Sequence, residues 1–376
     1  MPKEFTHWTI AEQVRRARWT AKDRISEIIV EYPNMYLLGA IAHDSMFYPV
    51  FMPRSAGYEA AARNLHVEDI TGPFRAPAPR YGELFTPPAM AFLAGAVTHI
   101  AIDGIFHPFI HYFSGDSGSL DPAIAGDAAA RHRTLETFLD LYFYGSVRLP
   151  NHGSLLALLR DKEMDNKPFY ELAARFYGNG ITASHAETAL RAHAKIVYLA
   201  QNRYCVSIVN FINTAAINAF KSVRGLCYPK VKHFDSPFFD SPVMYKNPVT
   251  GEECTAGVTE LRQRSVTLIN AALDNFSRAL QTGGDIIDDD SGSVLQKEAA
   301  AVEKQRMSHF DLSRDIEAML ATAQELPAAQ ADCAQTAAAP AQTDDAPEPE
   351  TKHGAAPARP VRAPRRKQPA KPQKNK

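Results

Sequence analysis

A chain of 376 residues, 45% hydrophobic and 22% charged, has the make-up of a soluble globular protein and can bury a substantial core. Its formal net charge of −1 excludes a uniform field that would gather nucleic acid or acidic ligands. Cys205, Cys227, Cys254 and Cys333 form no Cys-x-x-Cys pair, which excludes a thiolate zinc knuckle or a redox dithiol.

The N-terminus carries Glu4, Glu12, Arg15, Arg16 and Arg18 and offers no apolar run for a secretory signal, so a cytoplasmic protein is expected. Apolar-periodic segments alternate with Pro- and Gly-rich breaks and convincing alternating strands are absent, so the expected fold class is all-α. Thr6 can cap a helix over 6–30, followed by a short apolar segment at 34–43 and a helix over 55–66. Thr86, Pro87 and Pro88 open the next helix, which the pattern carries to residue 107. It is the most apolar stretch of the chain, but His99 and Asp103 in its second half mark a buried helix rather than a membrane span. Pro108 would crowd the carbonyl of Gly104, which predicts a kink or an end there.

Helices are also expected over 127–144, 153–162 and 169–177. Ser184 and Glu187 form a capping box, and with no Pro or Gly before Gly225 a single helix of roughly forty residues is predicted. Residues 228–253, rich in Pro, Phe and Asp, read as an ordered surface loop, and 257–280 as a closing helix. The expected domains are thus 1–283, a helical appendage at 284–325 with an amphipathic helix over 294–324, and a disordered Ala/Pro-rich basic tail at 326–376. Nine Lys and Arg and no acidic residue fall within 351–376, so the tail could touch an anionic membrane peripherally.

Chemistry concentrates on two segments. His99, Asp103 and His107 are spaced four apart, which stacks imidazole, carboxylate and imidazole on one helix face, a donor set suited to zinc. His132 and Glu136 repeat that spacing on the next helix, with Asp140 one turn on, placed to fix the tautomer of a ligating histidine. A buried His-Asp hydrogen bond and a solvated charged face are the plainer alternatives. His7, Asp44 and His66 carry little signal singly. The adjacent His43 and Asp44 also suit a metal-dependent HD phosphohydrolase, although that reading leaves His132 and Glu136 unexplained.

Several segments occur in one family's order. They are Thr-His-Trp-Thr-Ile-Ala at 6–11, Tyr-Leu-Leu-Gly-Ala-Ile-Ala-His-Asp at 36–44 and Arg-Asn-Leu-His at 63–66. His-Ile-Ala-Ile-Asp-Gly-Ile-Phe-His-Pro-Phe-Ile at 99–110 follows, then His-Arg-Thr-Leu-Glu at 132–136 and Tyr-Lys-Asn-Pro-Val-Thr-Gly-Glu at 245–252. Together they resemble the zinc-dependent phospholipase C family, helical enzymes that hold up to three zinc ions in a cleft. His43 stands where that family often has proline.

The resemblance implies a multi-helix phospholipase C-like domain with metal ligands His7, Asp44, His66, His99, Asp103, His107, His132 and Glu136, and with Asp44 as general base. His111 extends the first stripe past Pro108 and reads as an outer or surface residue. Secreted members ligate zinc through the amine of an N-terminal tryptophan, which this chain lacks. It begins Met-Pro, and the freed amine of Pro2 is the expected substitute, the alternative being a two-ion site. The implied activity is zinc-dependent phosphodiester hydrolysis of a phospholipid or related phosphoester. Phe47, Tyr48, Phe51, Phe74, Phe238 and Phe239 are candidates to line a lipid-accepting cleft, or else core. A zinc nuclease of the same fold and a non-catalytic zinc-binding module are the alternatives, and no specific nucleic acid partner is expected.

Overall fold

The computed structural model describes residues 3–49, 55–117, 119–149, 153–178, 180–216, 221–229, 236–248 and 250–287. The expectations for Pro2, Phe51, the appendage helix and the tail lie outside these residues. The chain divides into two units, Met1–Leu326 and Pro327–Lys376, and everything described here belongs to the first.

Helices dominate. The order is α1 (Glu4–Ala17), α2 (Arg24–Glu31), α3 (Pro33–Ala42), α4 (Ser55–Arg63), α5 (Pro77–Tyr81), α6 (Pro87–Ser114), α7 (Pro122–Phe143), α8 (Leu155–Asp161) and α9 (Asn166–Tyr177). Then come α10 (Ala183–Gln201), α11 (Arg203–Ala215), α12 (Lys221–Gly225), α13 (Pro237–Asp240), an antiparallel hairpin of β1 (Val243–Lys246) and β2 (Glu253–Ala256), and α14 (Val258–Thr282). A 3-10 turn, His43–Phe47, continues α3, and a π turn, Asn64–Glu68, continues α4.

The core is built around α6, which packs against α2, α3, α7 and α14. It is long and apolar enough to cross a membrane, yet 89% of its most apolar window is buried inside the fold. Its crossing with α3 is set by two glycines. A Cβ added at Gly39 would lie 1.9 Å from the Phe92 carbonyl oxygen, and one at Gly95 would lie 1.9 Å from that of Tyr36. Only at Gly can two backbones approach so closely.

Four expectations are corrected. The helix over 6–30 is two helices, because the Asp23 side chain accepts the Ser26 amide at 3.0 Å and starts α2 afresh. The long helix after residue 184 starts at a Thr182 cap and breaks at Asn202, whose side chain accepts the amides of Tyr204 and Cys205 and opens α11. Helix α6 runs on to Ser114 through Pro108, since its buried flanks outweigh one lost hydrogen bond. The loop at 228–253 contains α13 and β1, whose four-residue strand is too short to show alternation but still buries Tyr245 against Phe109 at 5.5 Å.

Candidate metal centre

Helix α1 supplies His7, and its first turn is fixed from α7. The Asp140 carboxylate accepts the amides of Phe5 (3.0 Å) and Thr6 (2.8 Å), the Thr6 hydroxyl (2.6 Å) and the Tyr228 hydroxyl (2.6 Å). First-turn amides lack helical partners, and a carboxylate satisfies them best. Asp140 therefore caps α1 and does not stand behind a histidine, a correction to the sequence reading.

Asp44 sits in the 3-10 turn after α3, held from two sides. Tyr177 donates its hydroxyl to the Ala42 carbonyl at 2.9 Å. Ser45 Oγ lies 2.9 Å from His193 Nδ1, while His193 Nε2 and the Tyr48 hydroxyl meet the Glu4 carboxylate at 2.7 and 2.9 Å. This buried Ser45–His193–Glu4 chain ties the turn bearing Asp44 to the helix bearing His7. No sequence pattern pointed to it, since Glu4 and His193 are 189 residues apart.

The ligand atoms converge. Asp44, His66, His99 and Asp103 each offer one atom within 4.8 Å of the others, and His107, His132 and Glu136 do the same. Asp103 joins the groups: its Oδ1 lies 3.3 Å from His7 Nε2 and 3.9 Å from His107 Nε2, and its Oδ2 lies 3.2 Å from His99 Nε2. Asp44 Oδ1 lies 3.4 Å from both His66 Nε2 and His99 Nε2, and His132 Nε2 lies 2.8 Å from Glu136 Oε1. All eight residues named from the sequence thus lie in one connected cluster.

The tautomers show what the pocket needs. His99 Nδ1 donates to the Ala40 carbonyl at 2.9 Å, and His66 Nδ1 to that of Ala62 at 2.8 Å. A carbonyl only accepts, so in each neutral ring Nε2 carries a lone pair, and that lone pair faces a carboxylate. Nε2 of His7, His66, His99 and His107, with Oδ1 of Asp44 and Asp103, are buried without a hydrogen bond. Such an arrangement needs positive charge in between, supplied by a metal ion or by a proton on a ring. Burial pushes the His99 imidazolium down, but Asp103 and Asp44 outweigh it and lift it to about 10. Burial would raise the two carboxyls, yet His99 in particular holds both well below their usual range. His107 and His132 are pushed well below the usual imidazole value, chiefly by burial, and so stand neutral, the form that ligates. Imidazole nitrogens mixed with carboxylate oxygens are a fitting donor set for zinc.

His111 is buried, not on the surface. Its ring centroid is 4.8 Å from that of His132 and 5.3 Å from that of His107, and its place four residues after His107 was the available signal. His43 joins neither group. It stacks on His99 at 4.7 Å and meets Phe176 edge-on, so His43 and Asp44 do not act as the pair the HD reading requires. Among the suggested cleft aromatics, Phe74 and Phe239 are fully buried core, Tyr48 stacks on His193, and Phe47 is 41% exposed beside His66.

These features define a mainly helical protein whose clustered histidines and carboxylates could hold metal ions. The family model for zinc dependent phospholipase C matches residues 6–196, just over half the chain, and the chain belongs to that family. No curated protein and no solved structure matches it.

Proposed function

We propose that this protein is a zinc-dependent phosphodiesterase of phospholipase C type, acting on a phospholipid or a related phosphoester. The observation that carries this is Asp103, one carboxylate facing His7, His99 and His107 at 3.3, 3.2 and 3.9 Å, as a ligand shared between ions would. In this reading Asp44, His66, His99 and Asp103 hold one ion and His107, His132 and Glu136 a second. His7 and Asp103, 3.3 Å apart, begin a third position.

Bound zinc supplies an acidified water and neutralises charge developing on the phosphoryl group. Asp44, with Oδ1 turned to His66 and His99, takes the proton of the attacking water on Oδ2. Exposed Phe47 is the described aromatic placed to meet an acyl chain, and the cationic residues of 351–376 would add attraction to anionic lipid. With a phospholipid the products are diacylglycerol and a phosphorylated head group.

The test is hydrolysis of phosphatidylcholine, a chromogenic phosphodiester and single-stranded DNA by the purified protein, beside Asp44→Asn. Cleavage of the first two, lost in the variant, is expected. Preferential cleavage of DNA moves the assignment to a nuclease, and no cleavage of any phosphoester moves it to a zinc-binding module.

A further inference from the structure

The surface of α10 and α11 is unusually apolar for a face open to solvent. Tyr198 and Leu199 on α10 are 58% and 47% exposed, and Tyr204, Ile208, Phe211 and Ile212 on α11 are 65%, 58%, 75% and 44% exposed. The four α11 residues follow the i, i+4, i+7, i+8 spacing of one helix face, while Val206 and Asn213 on the opposite face are buried. Large exposed apolar patches mark contact sites, and single exposed residues do not.

Charge identifies the occupant. Helices α10 and α11 carry three cations, Arg191, Lys195 and Arg203, against one carboxylate, Glu187, in a chain whose net charge is −1. Arg191 pairs with Glu187 at 2.8 Å, but Lys195 and Arg203 are exposed, and the Arg203 guanidinium lies 4.8 Å from the Tyr204 ring centre, a cation at the rim of the apolar face. An aromatic and aliphatic face rimmed by cations fits the boundary between head groups and acyl chains in an anionic bilayer. A second copy seated on the same face would bring like charges together. The patch connects by packing to the helix of the metal centre: α11 packs on α12, and α12 lies so close to α7 that a Cβ at Gly225 would fall 2.9 Å from the carbonyl of Ala130, two residues before His132.

We infer that the exposed face of α10 and α11 is a membrane-docking surface for anionic lipid, seating the bilayer beside the helix that carries His132 and Glu136. This goes beyond the catalytic reading, because the surface binds a bilayer whether or not the centre cleaves its lipids.

The experiment is sedimentation of the full chain with vesicles of phosphatidylcholine alone and of phosphatidylcholine mixed with phosphatidylserine. The Ile208→Asn/Phe211→Asn double variant and a Lys195→Glu/Arg203→Glu variant run alongside. Wild type is expected to partition onto the mixed vesicles. The apolar variant loses that partitioning at least tenfold, and the charge variant lowers the preference for phosphatidylserine to what the residues of 351–376 supply. Hydrolysis of a soluble chromogenic phosphodiester should be unchanged in both variants, so a failed hydrolase assignment and a failed docking surface give separate signals. Variant binding equal to wild type overturns the inference. So does a wild-type dimer in analytical ultracentrifugation that the apolar variant abolishes, with no vesicle binding by either.

Discussion

At Asp103, three imidazoles from two helices meet one carboxylate. Asp103→Asn keeps its size but removes the charge they face, so it should lower zinc content by more than one ion per chain and activity at least 10²-fold, whereas His132→Ala should lose about one ion. Metal analysis of the two variants side by side checks this. His193 acts differently, since it reaches no ligand and bonds Glu4 and Ser45 through its two ring nitrogens. His193→Ala takes one of two donors from a buried carboxylate, leaving the Tyr48 hydroxyl, and urea unfolding should show a loss of about 1–3 kcal/mol; a loss below about 0.5 kcal/mol, typical of a surface change, contradicts the role. His99, Asp103 and His107 were readable because one helix fixes their geometry, and His132 with Glu136 likewise. His7, Asp44 and His66 each come from a separate element, so no spacing joined them and only the family resemblance did. Glu4, Ser45 and His193 had neither signal.

Among elements, the crossing of α3 and α6 governs the site. Helix α3 leads into the turn bearing Asp44 and offers the Ala40 carbonyl to His99, while α6 carries His99, Asp103 and His107. Gly39→Ala would drive a methyl group into the Phe92 carbonyl. The cost is at least the 1–3 kcal/mol typical of overpacking, and because the helices must part, zinc content should fall with stability. An Ala variant that keeps both wild-type melting temperature and full zinc content would show that the crossing is slack. Helices were legible wherever apolar periodicity ran unbroken. The breaks at Asp23 and Asn202 were not, because a capping side chain acts through a local hydrogen bond that periodicity does not report. The α6 continuation past Pro108 was hidden for the opposite reason: tertiary burial overrode a local rule.

Across the described part of the molecule, ionisable side chains are buried within a large helical core, and stability should respond to pH accordingly. Burial raises the phenols of Tyr36 and Tyr81 above their usual value of 10. Above that pH the unfolded chain releases protons that the folded chain retains, so stability is full below pH 10 and falls as pH rises beyond it. Urea midpoints at pH 9 and pH 11 should differ in that direction, with phenolate absorbance appearing together with unfolding. The central claim is that histidines and carboxylates from α1, the turns after α3 and α4, α6 and α7 form one polynuclear zinc site. Elemental analysis of the purified protein, before and after chelation, tests it most directly. Two or three zinc ions per chain, with phosphodiester hydrolysis lost on chelation and restored by zinc, is the predicted result. Zinc below one ion per chain, with hydrolysis unaffected by chelation, would contradict it.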